Sequence, residues 1–280
     1  MSFEVVYNQS DFDYRRAEGV NQSSLKKILI SPAHYQAALK DKLIPTPAME
    51  IGTALHCLAL DGSKAFESQY VLQPDDIKLN SKAGKEWKEA QGRKKVFRDD
   101  GKDKAWSSIH GMAQSLRQIA YFDPTQADYI KHNEASIYWD WNGVPCKARL
   151  DRIDIERSLV LDIKTTDSIE VELFTKKVVG LGYDFQAYLY KRAAEIAFGK
   201  PFKFIFAAIE RKAPYSADLF EVDDEMEEEG RRKCEAAIRA YKRCQETKEW
   251  PNRPAMVRKL SYPSWYVPYD NMEELREDIF

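Results

Sequence analysis

The sequence predicts an α/β protein, and three observations carry that expectation. Asn142-Gly143 stands between the alternating runs 135–141 and Val144–Asp154, and Asn-Gly in that setting is the strongest short-range hairpin signal. After a turn at Glu156, Arg157 and Ser158, residues 159–165 add a third strand and complete an antiparallel meander. Residues 185–198 then read as a helix closed by Gly199 and Pro201, followed by a buried strand over 202–209 with 217–222 as its partner.

The remaining elements are weaker and follow in chain order. Residues 2–14 are polar and aromatic without clear period and predict no element. A helix is expected to start with Ser23 or Ser24 as N-cap, to present Leu25, Ile28 and Leu29 as its apolar face, and to give way to another at Ser31-Pro32. Its hydroxyls together with Lys26 or Lys27 would suit a phosphate, although ordinary capping is the simpler account. Pro45 and Pro47 mark a loop. Residues 48–61 predict a buried helix through Met49, Ile51, Leu55, Leu58 and Leu60, with Gly52 permitting close approach to a neighbour. His56 lies one turn beyond Gly52 on the same face, where a lone histidine is more often a core residue than a ligand. Residues 70–98 read as loop and partly helical basic sequence, with Trp87 as core or as a stacking platform. Residues 104–120 have helical spacing and end at Phe122-Asp123-Pro124. Residues 225–250 predict a long charged helix with a seam of Cys234, Ala237, Ile238, Tyr241 and Cys244, and the proline-bearing end (Pro251, Pro254, Pro263, Pro268) is irregular.

Composition bounds the class. With 44% hydrophobic and 31% charged residues the chain is that of a soluble globular protein. Its 280 residues are expected to form one domain, with a helical part over about 20–125 packed on a core over about 130–250. No run approaches the roughly 18 apolar residues that span a bilayer, and the opening MSFEVVYNQSDFDY has no basic and apolar leader pattern. No membrane partner and a cytoplasmic location are therefore expected. Cys57, Cys146, Cys234 and Cys244 form no C-x-x-C pair, which argues for reduced, buried thiols rather than a zinc ribbon or a disulfide framework. The net charge of −2 hides an asymmetry. Residues 78–104 carry ten Lys or Arg against five acids, whereas 221–229 carry seven acids. Such a basic run can track phosphates, although most charge runs are solvated faces.

The chemistry concentrates in KARLDRIDIERSLVLDIKTT, residues 147–166. Side chains alternate along a strand, so Asp162 and Lys164 share one side while Leu159, Leu161 and Ile163 take the other. Alone, such a pair is most often a solvated sheet face. Here the strand is nearly continuous apolar sequence, where an Asp and a Lys are costly unless paired or metal-bound. Asp151 on the preceding strand can fold back beside Asp162, and Glu134 lies just before the first strand, within possible reach of a metal between them. Gln186 and Tyr190, four apart, share a helix face that Ala193 and Ala197 continue.

In order, Gly52-x-x-x-His56, Glu134, Asp151, Asp162-Ile163-Lys164-Thr165 and Gln186-x-x-x-Tyr190 resemble the RecB-like branch of the PD-(D/E)XK nuclease superfamily. With the opening SSLKKIL-SPAHY segment, the chain from about Asn21 onward resembles the RecE-type exonucleases (exodeoxyribonuclease VIII) of phages and prophages. That resemblance implies a restriction-endonuclease-like core, a mixed central sheet flanked by helices. It implies metal binding by His56, Asp151, Asp162 and the Ile163 carbonyl, and catalytic parts for Lys164, Asp162, Asp151, Gln186, Tyr190 and the upstream acid Glu134. Mg²⁺ is the implied ion, with Mn²⁺ able to substitute. Asp162 departs from the superfamily's commoner Glu, although Asp-x-Lys is usual in this branch. The implied reaction is ATP-independent 5′ to 3′ degradation of double-stranded DNA ends to mononucleotides. It leaves 3′ single strands for a RecT-type annealing protein in recombination, and a ring-shaped homotetramer around the DNA is implied as well. No Walker A pattern is present, and the cysteine positions do not match relatives that carry an iron–sulfur cluster. Ser23, Ser24 and Lys26 are the candidates for a DNA 5′-phosphate. The alternatives are a structure-specific or single-strand RecB-like nuclease, or a non-catalytic DNA-end-binding module.

Overall fold

The computed structural model describes residues 3–41, 44–100, 104–122 and 131–262; Asp123, Pro124, Pro263, Pro268 and, within the basic run 78–104, Lys102 lie outside the described residues. The chain begins with β1 (Phe3–Val6) and the short helix α1 (Asp11–Arg16), where the sequence predicts no element. Ser10 caps α1 by accepting from the Asp13 N–H. Next come α2 (Gln22–Leu25), which tightens into a 3-10 turn at Lys26–Leu29, and α3 (Pro32–Lys40). Asn21 caps α2 in place of either serine. Its backbone is extended, as a cap requires, and its Oδ1 accepts from the Ser24 N–H at 3.0 Å.

The helical part continues with α4 (Pro47–His56), a π-turn at Cys57–Asp61, and α5 (Ser63–Gln69). Strands β2 (Tyr70–Leu72) and β3 (Lys95–Phe97) pair in parallel around helix α6 (Lys82–Ala90), and α7 (Ala105–Arg117) follows. These two strands were not legible as such because three residues are too few for a period to show. Gly52 stands beside the main sheet, but a Cβ there would lie 4.0 Å from the Thr165 hydroxyl, an ordinary contact, so close approach does not explain it.

The main sheet holds β4 (Lys131–Trp141), β5 (Val144–Asp154), β6 (Leu159–Thr166), β7 (Lys203–Glu210) and β8 (Ala217–Glu221), with helices α8 (Val171–Leu181), α9 (Tyr183–Phe198) and α10 (Asp224–Thr247). Its order is β1-β4-β5-β6-β7-β8, antiparallel except for β6 and β7. A parallel pair needs a crossover, and α8 and α9 supply it. The expected mixed sheet flanked by helices is thus present. Asn142 and Gly143, at φ 54° and 84°, make the left-handed turn that an Asn-Gly hairpin requires. Gly182, at φ 65°, lets α8 turn directly into α9. The long charged helix ends at Thr247, short of Trp250, because Lys248 turns left-handed at φ 61°.

Each face of the sheet has its own core. Val160, Phe204 and Phe206 pack with Phe185, Leu189 and Ala193 of α9 and Cys234 and Ile238 of α10. Leu161, Ile163, Ile205 and Ala207 pack with Leu55 of α4 and Ile109, Met112 and Leu116 of α7. As the strand period predicts, β6 is buried on both faces. All four cysteines are free and buried. Among the described residues no helix is long and apolar enough to cross a membrane.

Candidate active site

The site forms where β4, β5 and β6 lose their regular pairing. By register Asp151 lies opposite Glu134 on one side and opposite Asp162 on the other, yet neither pair is closed as a ladder step. Alternation also slips there. Leu150 and Ile153, an odd number apart, enter the same core, so side chains between them are turned out of sequence. Glu134 sits inside β4 rather than before it, at φ 50°, the left-handed region that disfavours a residue with a Cβ. This local distortion aims Glu134 and Asp151 toward α4.

There they meet His56. Among the described residues one group offers three metal-ligating side chains with donor atoms within 4.8 Å of one another: His56, Glu134 and Asp151. His56 Nδ1 lies 3.5 Å from Asp151 Oδ1 and its Nε2 lies 3.2 Å from the Ile163 carbonyl. The Ile163 N–H donates to Asp151 Oδ2 at 2.8 Å. One imidazole nitrogen source, two carboxylates and a backbone carbonyl form a donor set suited to a hard divalent cation.

Asp162 and Lys164 stand beside this group. Lys164 is ion-paired with Asp162, and its Nζ lies 4.7 Å over the Tyr183 ring. Gln186 donates to Asp162 Oδ1 at 2.7 Å, and the buried Tyr190 follows one turn later on the same helix. Asp162 therefore has partners on both oxygens and lies outside the three-ligand group.

The charges are strongly coupled to their surroundings. Burial pushes the Glu134 carboxyl up to about 7, with Asp151 adding to it and Arg149 and His56 opposing. Burial likewise pushes Asp162 up to about 6, against the pull of Lys164. Asp151 is held low despite its burial, because His56, Lys164 and the Ile163 N–H all favour its charged form. His56 is raised to about 9 despite burial by Asp151 and Glu134. Lys164 is raised despite burial by Asp162 and Asp151.

The expected phosphate residues take no part in this network of contacts. The Ser23 and Ser24 hydroxyls donate to Asn21 Oδ1 at 2.8 and 3.0 Å, and Lys26 donates to the Leu181 carbonyl at 3.0 Å. Sequence reasoning missed Arg149, whose Nε lies 2.6 Å from Glu134 Oε2. The strand period held the signal, since Arg149 is two residues before Asp151 on β5.

A family model described as "PDDEXK-like domain of unknown function (DUF3799)" matches residues 21–258. No curated protein matches the chain in sequence. Among solved structures, a protein named "Putative exonuclease" from Eubacterium rectale is similar with a TM-score of 0.61 at 13% identity, covering 95% of this chain and 98% of that one. A phage related exonuclease from Haemophilus somnus 129PT gives a TM-score of 0.33 at 14% identity, covering 85% of this chain and 100% of that one. The first likeness shows a shared fold across nearly the whole chain.

Proposed function

We propose, from the premise that the chain belongs to the DUF3799 family of PDDEXK-like domains, that it is a divalent-metal-dependent nuclease acting on the ends of double-stranded DNA. The observation that carries this reading is the convergence of His56, Glu134 and Asp151 beside the Asp162–Lys164 pair. His56, Glu134, Asp151 and the Ile163 carbonyl would hold the ion, Mg²⁺ in this reading, with Mn²⁺ as a substitute, while Asp162 stands beside them tied to Lys164 and Gln186. Such an ion neutralises charge on the phosphate and lowers the pKa of the attacking water.

The chain's own residues divide the remaining work. Lys164, ion-paired with Asp162, would stabilise charge developing on the phosphate. Gln186 holds Asp162 in place, with Tyr190 one turn on along the same helix. The exposed Lys85 and Lys88 on α6, with the half-buried Lys94 beyond it, offer a phosphate-tracking surface. The acids of 221–229 lie at the end of β8 and the start of α10, where Glu228 and Glu229 pair with Arg231, Arg232 and Lys233.

The finer reading rests on the resemblance to RecE-type exonucleases. It is 5′ to 3′ digestion without ATP by a ring-shaped tetramer, supplying 3′ tails to an annealing protein. The test is a linear duplex labelled at its 5′ or 3′ end, incubated with Mg²⁺ beside a closed circle and beside the Asp162→Ala variant. Early release of the 5′ label by wild type alone is expected, at a rate that falls with salt and falls further when Lys85, Lys88 and Lys94 are neutralised. Cutting of the circle would replace the exonuclease reading with an endonuclease one. Binding without cleavage would leave a DNA-end-binding module.

A further inference from the structure

We propose that Arg149 is a positioning residue that fixes Glu134 for metal binding, and that it is itself held in place by the strap over residues 9–17. The inference rests on reading His56, Glu134 and Asp151 as a metal site. Arg149 Nε contacts Glu134 Oε2 at 2.6 Å, with the two side chains only 18% and 20% exposed. The other arms of the guanidinium turn away from the site. One nitrogen donates to the Gln9 carbonyl at 3.2 Å and another reaches Asp11 Oδ1 at 3.4 Å, while the group lies 5.8 Å from the Tyr14 ring.

The strap is anchored a second time from the same strand. Lys147, two residues before Arg149 and only 3% exposed, donates to the carbonyls of Tyr14, Arg15 and Ala17 at 3.0, 3.3 and 2.6 Å. Those carbonyls close the C-terminal end of α1, where a helix lacks internal partners and a cation is favoured. Tyr138 fastens the near end by donating to the Gln9 side chain at 2.7 Å. A strap pinned at both ends thus presents a fixed acceptor set to Arg149.

Two features show why Glu134 needs this support. Its backbone is left-handed at φ 50°, a conformation that persists only where surroundings over-determine it. Its carboxylate also has an oxygen within 4.8 Å of one from Asp151, and repulsion would turn it away unless the Arg149 charge held it. Arginine suits the task because its planar fork serves the carboxylate and the strap at once, which a lysine ammonium cannot do with the same geometry.

Positioning and charge repulsion predict opposite signs once Glu134 is ionised, so the comparison is made well above the value of about 7 to which Glu134 is raised. There a guanidinium beside a cation site repels the cation, and charge alone predicts that removing it tightens binding. Positioning predicts weaker binding, by about 10–100-fold, as for other residues that orient a metal ligand. The experiment is Mn²⁺ titration of the full chain without DNA, by calorimetry and electron paramagnetic resonance, for wild type, Arg149→Gln, Arg149→Lys, Asp11→Asn and the Arg149→Gln/Asp11→Asn pair. Weaker binding is expected for Arg149→Gln and, to a lesser degree, for Arg149→Lys, which keeps the charge and guards against a folding failure of the first. Asp11→Asn should weaken binding in wild type and add nothing once Arg149 is gone. Unchanged or tighter binding in both Arg149 variants overturns the inference while leaving the metal site intact. Equal effects of Asp11→Asn in both backgrounds overturn the strap's part, and absence of Mn²⁺ binding by wild type overturns the metal reading itself.

Discussion

Asp151 and Asp162 are the same residue type, opposite each other by register on neighbouring strands, yet their surroundings sort them into different states. Asp151 is bordered by His56, the Ile163 N–H and Lys164, which outweigh its burial and hold it ionised. Asp162 is 1% exposed, fastened by Gln186 and Lys164, and pushed up to about 6. One acid faces the ligand group and the other faces the helix behind it. The difference teaches that a motif's spacing delivers carboxylates to a place, while the second layer of contacts decides what each is free to bind.

The sharpest way to break this comparison is to neutralise each acid in turn. Asp151→Asn should abolish cleavage, by about 10³-fold or more, because it removes a ligand and unbalances His56. It should also remove Mn²⁺ binding measured without DNA. Asp162→Asn should lose cleavage as well but keep most of the Mn²⁺ affinity. Equal loss of affinity in both variants would show that Asp162 is as much a ligand as Asp151.

Lys164→Met comes next, with an expected loss of about 10²–10³-fold in the single-turnover rate, the usual range for one preorganised charge stabiliser. Mn²⁺ affinity should hold or rise, because removing the ammonium frees Asp162 and deletes a neighbouring positive charge. A fall in affinity would mean that Lys164 organises the ligand group rather than the reacting phosphate.

Much of this was legible in the sequence, and the rest was hidden for physical reasons. The Asn142-Gly143 turn and the shared face of Asp162 and Lys164 follow from local rules alone. The placing of Glu134 does not, because a left-handed residue inside a strand breaks the period on which such rules depend. His56 reaches the Ile163 carbonyl across 107 residues of chain, a contact that spacing cannot supply, so only the resemblance brought it to the site. Helix α8 escaped notice because Val171, Leu173, Val179 and Leu181 stay exposed, leaving no clean apolar stripe. Strand β1 is four residues long, and its partner β4 supplies most of its reason to form.

The smallest effect discriminates most finely, because the two acids should bend the stability curve in opposite directions. Asp162 is raised above its unfolded value of about 3.9, so its contribution is fully present below that pH and is lost as pH rises through about 6. Asp151 is lowered, so its contribution is present above the unfolded value and is lost as pH falls. Relative to wild type, Asp162→Asn should therefore gain stability between pH 4 and 7, by about 1–3 kcal/mol or a few degrees in Tm. Asp151→Asn should lose ground as pH rises through the acid range. His56 and Glu134 act in the same sense as Asp162, since both are raised, so wild type without divalent ion should itself soften from pH 6 to 9. A divalent ion competes with the protons on those two groups, so the rise in Tm that Mn²⁺ brings should be larger at pH 9 than at pH 6. Thermal melts of the three proteins across that range, with chelator and with Mn²⁺, measure both slopes; parallel slopes for the two variants would mean that the acids share one environment.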